Sequence, residues 1–322
     1  MSVSKRKFAK PLVVMNPVSG GGKVLRFEKQ LLTSLNELFG SNYTIEKTQR
    51  QRHATQITEE ALKSGHDLII SIGGDGTNNE VLNGFFYETP EKKIHPLSSE
   101  AVFAPVSFGS GSDYRKVLGT KSWEEDIERI KQGNLQKIDI GKVDYTSIRQ
   151  GRHKTRLFLN ISSFGVSGII DKHVNESKKR LGATPAYVVG TLRGLASYRE
   201  TLVNVSIDDT SAFSGKLLVC AVANGKFFGS GMCIAPTAQI DDGVFEISLV
   251  SQFSIFDLAQ FHRLYNGTIK EFNKVKTFRG KYVHAEPLIY GSEVLLDIDG
   301  ENIGKLPATF TLLPKALSIP AP

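Results

Sequence analysis

The first third of the chain alternates short apolar runs with segments whose apolar residues recur at helical spacing. Strand-like runs cover residues 11–15, 43–46, 67–72 and 101–105, and helical patterns cover residues 24–38, 54–62 and 77–85. Strands and helices that alternate at this rate are typical of a parallel sheet with crossover helices. We therefore expect an α/β domain at the N-terminus. The face of the first helix carries Val24, Phe27, Leu31, Leu35 and Leu38.

The pattern changes near residue 137, where strand-like runs begin to follow one another with only turns between them. These runs cover residues 138–144, 157–162, 202–208, 216–224, 244–250 and 293–299. Such spacing predicts a mainly antiparallel β-sandwich as the C-terminal domain. Two helices interrupt it. One begins with Thr184 as N-cap and Pro185 at the first helical position and continues to Leu195; the other covers residues 254–265 and ends near Gly267.

Composition limits the classes of protein that remain. The 322 residues include 40% hydrophobic and 23% charged residues, which excludes disordered, collagen-like and coiled-coil chains. The two cysteines, Cys220 and Cys233, and a basic start without an apolar signal segment favour a reducing, cytoplasmic location. No apolar run approaches the length of about 18 residues that a membrane span needs.

Lysine and arginine exceed aspartate and glutamate by 40 to 33, so the chain carries a formal charge of +7. The excess indicates an acidic partner such as a nucleotide, a nucleic acid or an anionic membrane surface. The basic groups lack the interleaved aromatic residues of a nucleic-acid stacking platform, and solvated faces explain each of them equally well. The three groups are Arg149, Arg152, Lys154 and Arg156; Lys172, Lys178, Lys179 and Arg180; and Lys274, Lys276, Arg279 and Lys281.

Glycine-rich loops follow three of the predicted strands in the first domain. Backbone N–H groups of such loops bind phosphates, and the carboxyl ends of parallel strands meet at one edge, so the loops predict a nucleotide site. The first loop is not a Walker A loop, because Pro17 stands where that pattern needs glycine. Neither later loop completes the glycine pattern of dinucleotide-binding proteins, which disfavours NAD binding through that motif. The loops cover residues 16–23, 72–80 and 107–114.

Acidic residues near these loops allow both structural and chemical interpretations. Thr77 and Glu80 are spaced as a capping box, which would explain both residues without a ligand. Asp75 has no helix to cap in this interpretation, so a Mg²⁺ reached through water is a candidate partner for its carboxylate. Taken by themselves, residues 241–243 indicate an ordinary β-turn.

The motifs together resemble the diacylglycerol kinase catalytic-domain family, and in particular its soluble bacterial lipid kinases. Seven segments occur in the family's order: residues 16–20, 73–84, 109–113, 138–141, 160–165, 235–243 and 299–301. The resemblance implies a fold like that of NAD kinase and diacylglycerol kinase. Residues 1–135 would form the α/β nucleotide-binding domain, residues 136–302 a β-sandwich lipid-substrate domain, and residues 303–322 a segment that packs back on the first domain.

The resemblance also implies an activity, namely ATP- and Mg²⁺-dependent phosphorylation of a lipid hydroxyl, with diacylglycerol as the first candidate. Glu301 would be the catalytic base, and Asp75 would act on the active-site Mg²⁺. A second metal site would use Asp242 with the backbone carbonyls of Gln239 and Val244. The residues assigned to ATP are Asn16, Pro17, Ser19, Gly20, Lys23, Thr48, Gly73, Gly74, Asp75, Gly76, Thr77, Ser110 and Asp113.

Several alternatives remain open at this point. A kinase of another lipid, such as a sphingoid base, or a soluble NAD-kinase-like enzyme would share the loop at residues 73–77. Ser112 stands where bacterial members of the family carry an amide, which bears on nucleotide affinity. A lipid substrate implies peripheral contact with an anionic membrane surface at the inner face, and residues 172–180 and 186–198 are candidates for that contact. The sequence also leaves a homodimer open.

Overall fold

The computed structural model describes residues 6–109, 111–166, 201–251 and 254–321. The chain divides into two units: unit 1 is Met1–Ile138 with Lys315–Pro322, and unit 2 is Asp139–Pro314. Both boundaries lie later in the chain than the positions placed from the sequence, 135/136 and 302/303. In the described ranges, no helix combines the length and the apolar character needed to cross a bilayer.

A parallel sheet forms the centre of unit 1. Its elements are β1 (Pro11–Met15), α1 (Ser19–Arg26), α2 (Glu28–Phe39), β2 (Thr44–Lys47), α3 (His53–Lys63), β3 (Leu68–Gly73), α4 (Asp75–Gly84), β4 (Phe86–Glu88), β5 (Ile94–Pro96), β6 (Val102–Ser107), α5 (Asp113–Leu118) and α6 (Trp123–Gln132). The strands lie in the order β2, β1, β3, β6, all parallel, and the C-terminal segment joins beside β6 through the pair Ser318 and Val102. The predicted α/β class and its strands are confirmed.

The central strands β1, β3 and β6 are buried along their whole length, because helices cover a parallel sheet on both faces. Val24, Leu31 and Leu35 belong to this core together with Ile127 and Ile130 of α6. One prediction is wrong in detail: the helical pattern at residues 24–38 forms two helices, because Phe27 leaves the helical conformation between α1 and α2. Its ring lies against those of Phe108 and Trp123.

Antiparallel strands build unit 2, as predicted. The elements are β7 (Leu135–Ser147), β8 (His153–Phe158), β9 (Ile161–Gly165), β10 (Thr201–Ile207), β11 (Thr210–Ala223), β12 (Phe227–Phe228), β13 (Met232–Cys233), β14 (Phe245–Ser251), α7 (His262–Asn266), β15 (Val275–Gly280), β16 (Tyr282–Pro287), β17 (Leu295–Ile298) and β18 (Glu301–Pro320). The strands β15, β14, β11, β10, β16 and β18 are neighbours in that order, and β9 pairs with both β11 and β17. Stacked rings, Phe158 on Phe245 and Phe164 on Phe310, fill the core between them.

Two predictions for unit 2 differ from the structure, and others fall outside the described residues. The predicted strand at residues 157–162 is two strands, β8 and β9, because the backbone N–H groups between them bind a carboxylate instead of a neighbouring strand. The predicted helix at residues 254–265 is a 3-10 turn, Ile255–Gln260, followed by the short α7, which ends at Gly267 as expected. The helix predicted to begin at Thr184 and the basic group at residues 172–180 lie outside the described residues.

Candidate functional site

The three glycine-rich loops lie side by side at the carboxyl edge of the sheet in unit 1. They follow β1, β3 and β6, which are adjacent strands. The Asn16 N–H donates to the Ile72 carbonyl at 2.8 Å, and the Phe108 N–H donates to the Gly73 carbonyl at 2.6 Å. Thr48 joins the same edge, since its N–H donates to the Met15 carbonyl at 2.9 Å. The structure therefore brings together the loops that the sequence assigned to the nucleotide.

Close packing of backbone against backbone explains two of the glycines. A Cβ on Gly109 would lie 2.9 Å from the Cα of Gly74, and a Cβ on Gly20 would lie 2.1 Å from the carbonyl oxygen of Phe108. Any side chain at these positions would force the loops apart. Ser110, in the third loop, lies outside the described residues.

Gly20, Gly21 and Gly22 adopt left-handed backbone conformations, with φ angles of 61°, 69° and 84°. The helical backbone of α1 therefore begins only at Lys23, whose side chain is exposed. A Cβ on Gly21 or Gly22 would meet nothing within 4 Å, so this side of the loop is open. Successive N–H groups in such turns form concave anion sites, and this one stands at the start of a helix. The loop thus has the chemistry to hold a phosphate.

Asn16 and Thr77 connect the first loop to the second. The Asn16 Nδ2 donates to Thr77 Oγ1 at 2.9 Å, while its Oδ1 accepts the N–H of Val18. The capping box predicted from Thr77 and Glu80 is wrong. Gly74 is the N-cap of α4, and the Glu80 carboxylate instead accepts the N–H groups of Arg52 at 2.8 Å and Ala54 at 3.2 Å, where α3 begins.

Asp75 lies in the first turn of α4 and reaches the start of α5. Its two carboxylate oxygens accept the N–H groups of Asp113 at 3.1 Å and Tyr114 at 3.2 Å. The expectation that Asp75 has no helix to cap is therefore wrong, because it caps a helix distant in sequence. A carboxylate has about four lone-pair directions, so these two hydrogen bonds do not exhaust its capacity as an acceptor. Asp75 consequently fits a Mg²⁺ ligand while it also holds α5.

Ser112 and Asp113 shape the end of the third loop. Ser112 has a left-handed backbone, with φ at 46°, and its Oγ donates to the Gly109 carbonyl at 2.7 Å. The Asp113 carboxylate accepts from Lys116 Nζ at 3.0 Å. The hydroxyl of Ser112 thus closes the loop on itself.

Asp126 supports the start of the third loop through a hydrogen bond to Ser107. This role was not predicted from the sequence. The Asp126 Oδ2 accepts the N–H of Ser107 at 3.0 Å, and its Oδ1 accepts from Thr120 Oγ1 at 2.5 Å. Burial raises the pKa of Asp126 above its ordinary value, an effect that the two hydrogen bonds and the nearby Arg115 and Arg129 reduce. The signal was an acidic residue on the apolar face of α6, between Trp123 and Ile130.

In unit 2, Asp299, Gly300 and Glu301 form the tight turn between β17 and β18. Asp299 and Gly300 both have positive φ, at 47° and 86°, as a two-residue hairpin turn requires. The Asp299 carboxylate accepts three successive N–H groups, those of Leu159 at 2.9 Å, Asn160 at 3.0 Å and Ile161 at 3.1 Å. This anchoring fixes the position from which Glu301 projects.

The Glu301 carboxylate pairs with one member of a predicted basic group. Its Oε2 lies 3.2 Å from Arg156 Nη2, and the Glu301 side chain is 24% exposed. The sequence did not distinguish Arg156 from Arg149, Arg152 and Lys154, since the partner in β18 is distant in sequence. Glu301 is therefore oriented by a cation and still accessible to a substrate.

Asp242, the carboxylate assigned to the second metal, has protein partners in this structure. The Asp242 carboxylate pairs with Arg279, and its other oxygen accepts the N–H of Val244 at 3.3 Å. Gln239 is exposed, and the N–H of Gly243 donates to the buried Asp139 carboxylate at 2.7 Å. The Arg279 side chain is 61% exposed, so the second metal site at Asp242 stays a prediction.

Comparison with known proteins places these features in a family. Residues 10–143 match the model of the diacylglycerol kinase catalytic domain, and residues 160–321 match that of the YegS C-terminal NAD kinase beta sandwich-like domain. Curated diacylglycerol kinases of Staphylococcus epidermidis (strain RP62A) and Bacillus subtilis (strain 168) are each 26% identical to this chain. The alignments cover 96% of this chain and 91% and 95% of those proteins.

Solved structures agree with this assignment. The crystal structure of a Bacillus anthracis str. Sterne protein, described as a candidate diacylglycerol kinase, is 25% identical and has a TM-score of 0.75, with 99% of both chains covered. A second structure from that organism, 22% identical with a TM-score of 0.70, supports the fold. The two matched domains follow each other in the order of the two units, and their bounds correspond approximately to those of unit 1 and unit 2. The chain belongs to the diacylglycerol kinase catalytic-domain family, with a C-terminal domain of the YegS type.

Proposed function

We propose that this protein transfers the γ-phosphoryl group of ATP to the hydroxyl group of diacylglycerol, giving phosphatidic acid. The observation that supports the proposal is the convergence of three glycine-rich loops, with the Asp75 carboxylate beside them, at the carboxyl edge of the sheet in unit 1. Ligands of open α/β sheets bind at this edge. The curated relatives named diacylglycerol kinase supply the choice of lipid.

Phosphoryl transfer depends mainly on positioning and on stabilisation of charge, which these loops can provide. The N–H groups of Gly20 and Gly21 and of residues 73–77 would bind the phosphates, and the exposed ammonium of Lys23 would contact a transferring oxygen. Asp75 would hold a Mg²⁺, which neutralises charge on the phosphate oxygens when it is bound. Asp75 would also keep α5 and the third loop in place.

Glu301 would accept the proton of the lipid hydroxyl as that oxygen attacks phosphorus. Arg156 fixes its carboxylate on one side, and the turn anchored by Asp299 fixes its backbone. A positioned base contributes about 10²- to 10⁴-fold to the rate. A substrate that resides in a bilayer would make the protein peripheral to a membrane, at its cytoplasmic face.

Labelled ATP with Mg²⁺ and a panel of diacylglycerol, sphingoid base, undecaprenol and NAD tests the proposal. We expect label in phosphatidic acid. Glu301→Gln should lower turnover about 10²-fold or more without a change in thermal stability. Glu293→Gln is the matched control, because Glu293 is an exposed glutamate paired with Lys305 at 3.0 Å.

Other outcomes separate the alternatives. Label in NAD alone would make the protein a small-molecule kinase, and label in sphingoid base or undecaprenol would keep a lipid kinase but change its substrate. A Glu301→Gln variant with near-native turnover would contradict the role of Glu301 as base.

A further inference from the structure

The turn between β16 and β17 exposes three consecutive apolar side chains. Leu288, Ile289 and Tyr290 are 47%, 53% and 105% exposed. Other exposed large apolar residues among those that the structure describes, such as Phe256 at 87%, stand singly. A contiguous exposed apolar group is unfavourable in water and marks an interaction surface. We name residues 288–290 the apolar turn.

Hydrogen bonds hold the backbone of the apolar turn on both sides. The Leu288 N–H donates to the Leu202 carbonyl at 2.9 Å, and the Ser292 N–H donates to the Ile289 carbonyl at 3.1 Å. Gly291 has a φ of 83°, which the turn requires. Beyond it, Val294 is buried in the core of unit 2. The outward direction of the three side chains is thus a built feature of the fold.

Among the residues that the structure describes, the charged ones that flank the apolar turn in sequence are acidic. Glu286 and Glu293 flank it, Glu293 pairs with Lys305 at 3.0 Å, and Glu286 lies 3.9 Å from His284. These described neighbours offer an anionic partner no attraction. A second copy of the chain fits poorly as well, because three side chains supply far less than the roughly 800 Å² per partner that a stable protein interface buries.

We propose that the apolar turn inserts into the interfacial layer of a lipid bilayer, including a zwitterionic one. Leucine and isoleucine would enter the acyl boundary, and tyrosine suits the headgroup level because its ring is apolar and its hydroxyl polar. The reason for a bilayer rests on the proposed function, since a kinase of diacylglycerol must reach its substrate there. Unlike contact through the basic groups, this contact does not depend on anionic lipid and persists at high salt.

Sedimentation with phosphatidylcholine vesicles in high salt tests the inference. Substitution of the turn by Leu288→Ser, Ile289→Ser and Tyr290→Ser should lower partitioning about tenfold or more. Phe256→Ser, which removes a single exposed aromatic residue, should leave it unchanged. Equal partitioning of the triple variant and the native protein, equal loss in the control, or a loss seen only with anionic vesicles at low salt would each overturn the inference.

Fluorescence gives a second readout that does not depend on activity. The chain has one tryptophan, Trp123, so Tyr290→Trp adds a reporter at the apolar turn. Vesicles with brominated acyl chains should quench the added emission and leave that of Trp123 unchanged; no quenching, or self-association without lipid, would contradict the inference. A native protein that binds vesicles through the turn but phosphorylates no lipid would contradict only the proposed function.

Discussion

Asp299 holds its turn by accepting hydrogen bonds that would otherwise have no partner in the sheet. The three N–H groups of Leu159, Asn160 and Ile161 lie where β8 ends and β9 begins, and all three are directed at its carboxylate. Ile161 returns the interaction, since its carbonyl accepts the N–H of Asp299 at 3.0 Å. In the Asp-Gly-Glu motif, the aspartate therefore supports the structure and the glutamate is left for chemistry.

Replacement of Asp299 should therefore reduce both stability and turnover. Asp299→Ala leaves buried donors without an acceptor, and each unsatisfied group costs about 1–3 kcal/mol, so we expect a loss of roughly 2–5 kcal/mol in the free energy of unfolding. Asp299→Asn keeps one acceptor oxygen and tolerates a positive φ, so its loss should be smaller. Urea unfolding of both variants measures the difference. Native stability of Asp299→Ala would contradict this role.

At the scale of helices, Asp75 joins α4 to α5 and thereby combines a structural role with the proposed metal role. Two substitutions separate them. Asp75→Ala should lose about 1 kcal/mol of stability with the cap and most of the turnover. Asp75→Asn keeps a side-chain acceptor for the α5 N–H groups, so it should regain most of the stability but not the turnover, because an amide is a weaker ligand for Mg²⁺.

Urea unfolding and the labelled-ATP assay provide the two measurements for Asp75. Near-native turnover of Asp75→Asn would make its carboxylate purely structural. If Asp75→Asn lost as much stability as Asp75→Ala, capping of α5 by residue 75 would not explain the loss.

Asp126 in α6 makes the stability of the fold depend on pH. Burial raises the pKa of its carboxyl group above the ordinary 3.8, so the folded protein holds a proton that the unfolded chain has already lost. The contribution of Asp126 to the free energy of unfolding is therefore fully present below pH 3.8 and is lost as the pH rises through the raised pKa. Asp126→Asn cannot ionise and should lack this decline. Unfolding free energies of native protein and variant across mildly acidic pH should diverge accordingly; parallel curves would contradict it.

Sequence reasoning succeeded for elements whose environment is uniform along the chain. Strands β1, β3 and β6 are buried on both faces, so their apolar runs are continuous and easy to identify. Strand β15 was missed because half of its residues are exposed and it carries Lys276 and Arg279. Strand β16 was missed because only two of its residues, Val283 and Ala285, are buried, and a polar residue separates them. The partners of the Asp75, Glu80 and Glu301 carboxylates could not be predicted, because each lies at least 26 residues away, in an element that only the fold brings near.

Over the whole molecule, the charge of +7 includes basic residues that the fold uses internally. Arg156 pairs with Glu301, Arg279 with Asp242, and Lys274 with Asp257 at 2.6 Å. These pairs involve members of two of the three basic groups. The described members of those groups are thus partly structural, which weakens the expectation that each group is a surface for an acidic partner.

Unit 1 depends on both ends of the chain, because Lys315–Pro322 belongs to it. Arg129 donates from Nε to the Ala321 carbonyl at 3.0 Å and also binds the Pro320 carbonyl. Leu317 and Ile319 are buried there, and Ser318 pairs with Val102 of β6. This C-terminal segment therefore adds a strand to unit 1 beside β6, on the side opposite β3.

Deletion of residues 315–322 should destabilise unit 1 specifically. Burial of one large aliphatic side chain contributes about 1.5–3 kcal/mol, so loss of Leu317 and Ile319 alone should cost roughly 3–6 kcal/mol. Hydrogen exchange should then show reduced protection in β3 and β6 but not in β11 and β14. A full-length control with Leu317→Ser and Ile319→Ser should reproduce most of the effect, because it removes the apolar burial and keeps the backbone pair with β6. Native protection of β6 in the truncated chain would contradict the dependence of unit 1 on its C-terminal strand, whereas a control with native protection would assign the effect to the backbone pair and to Arg129.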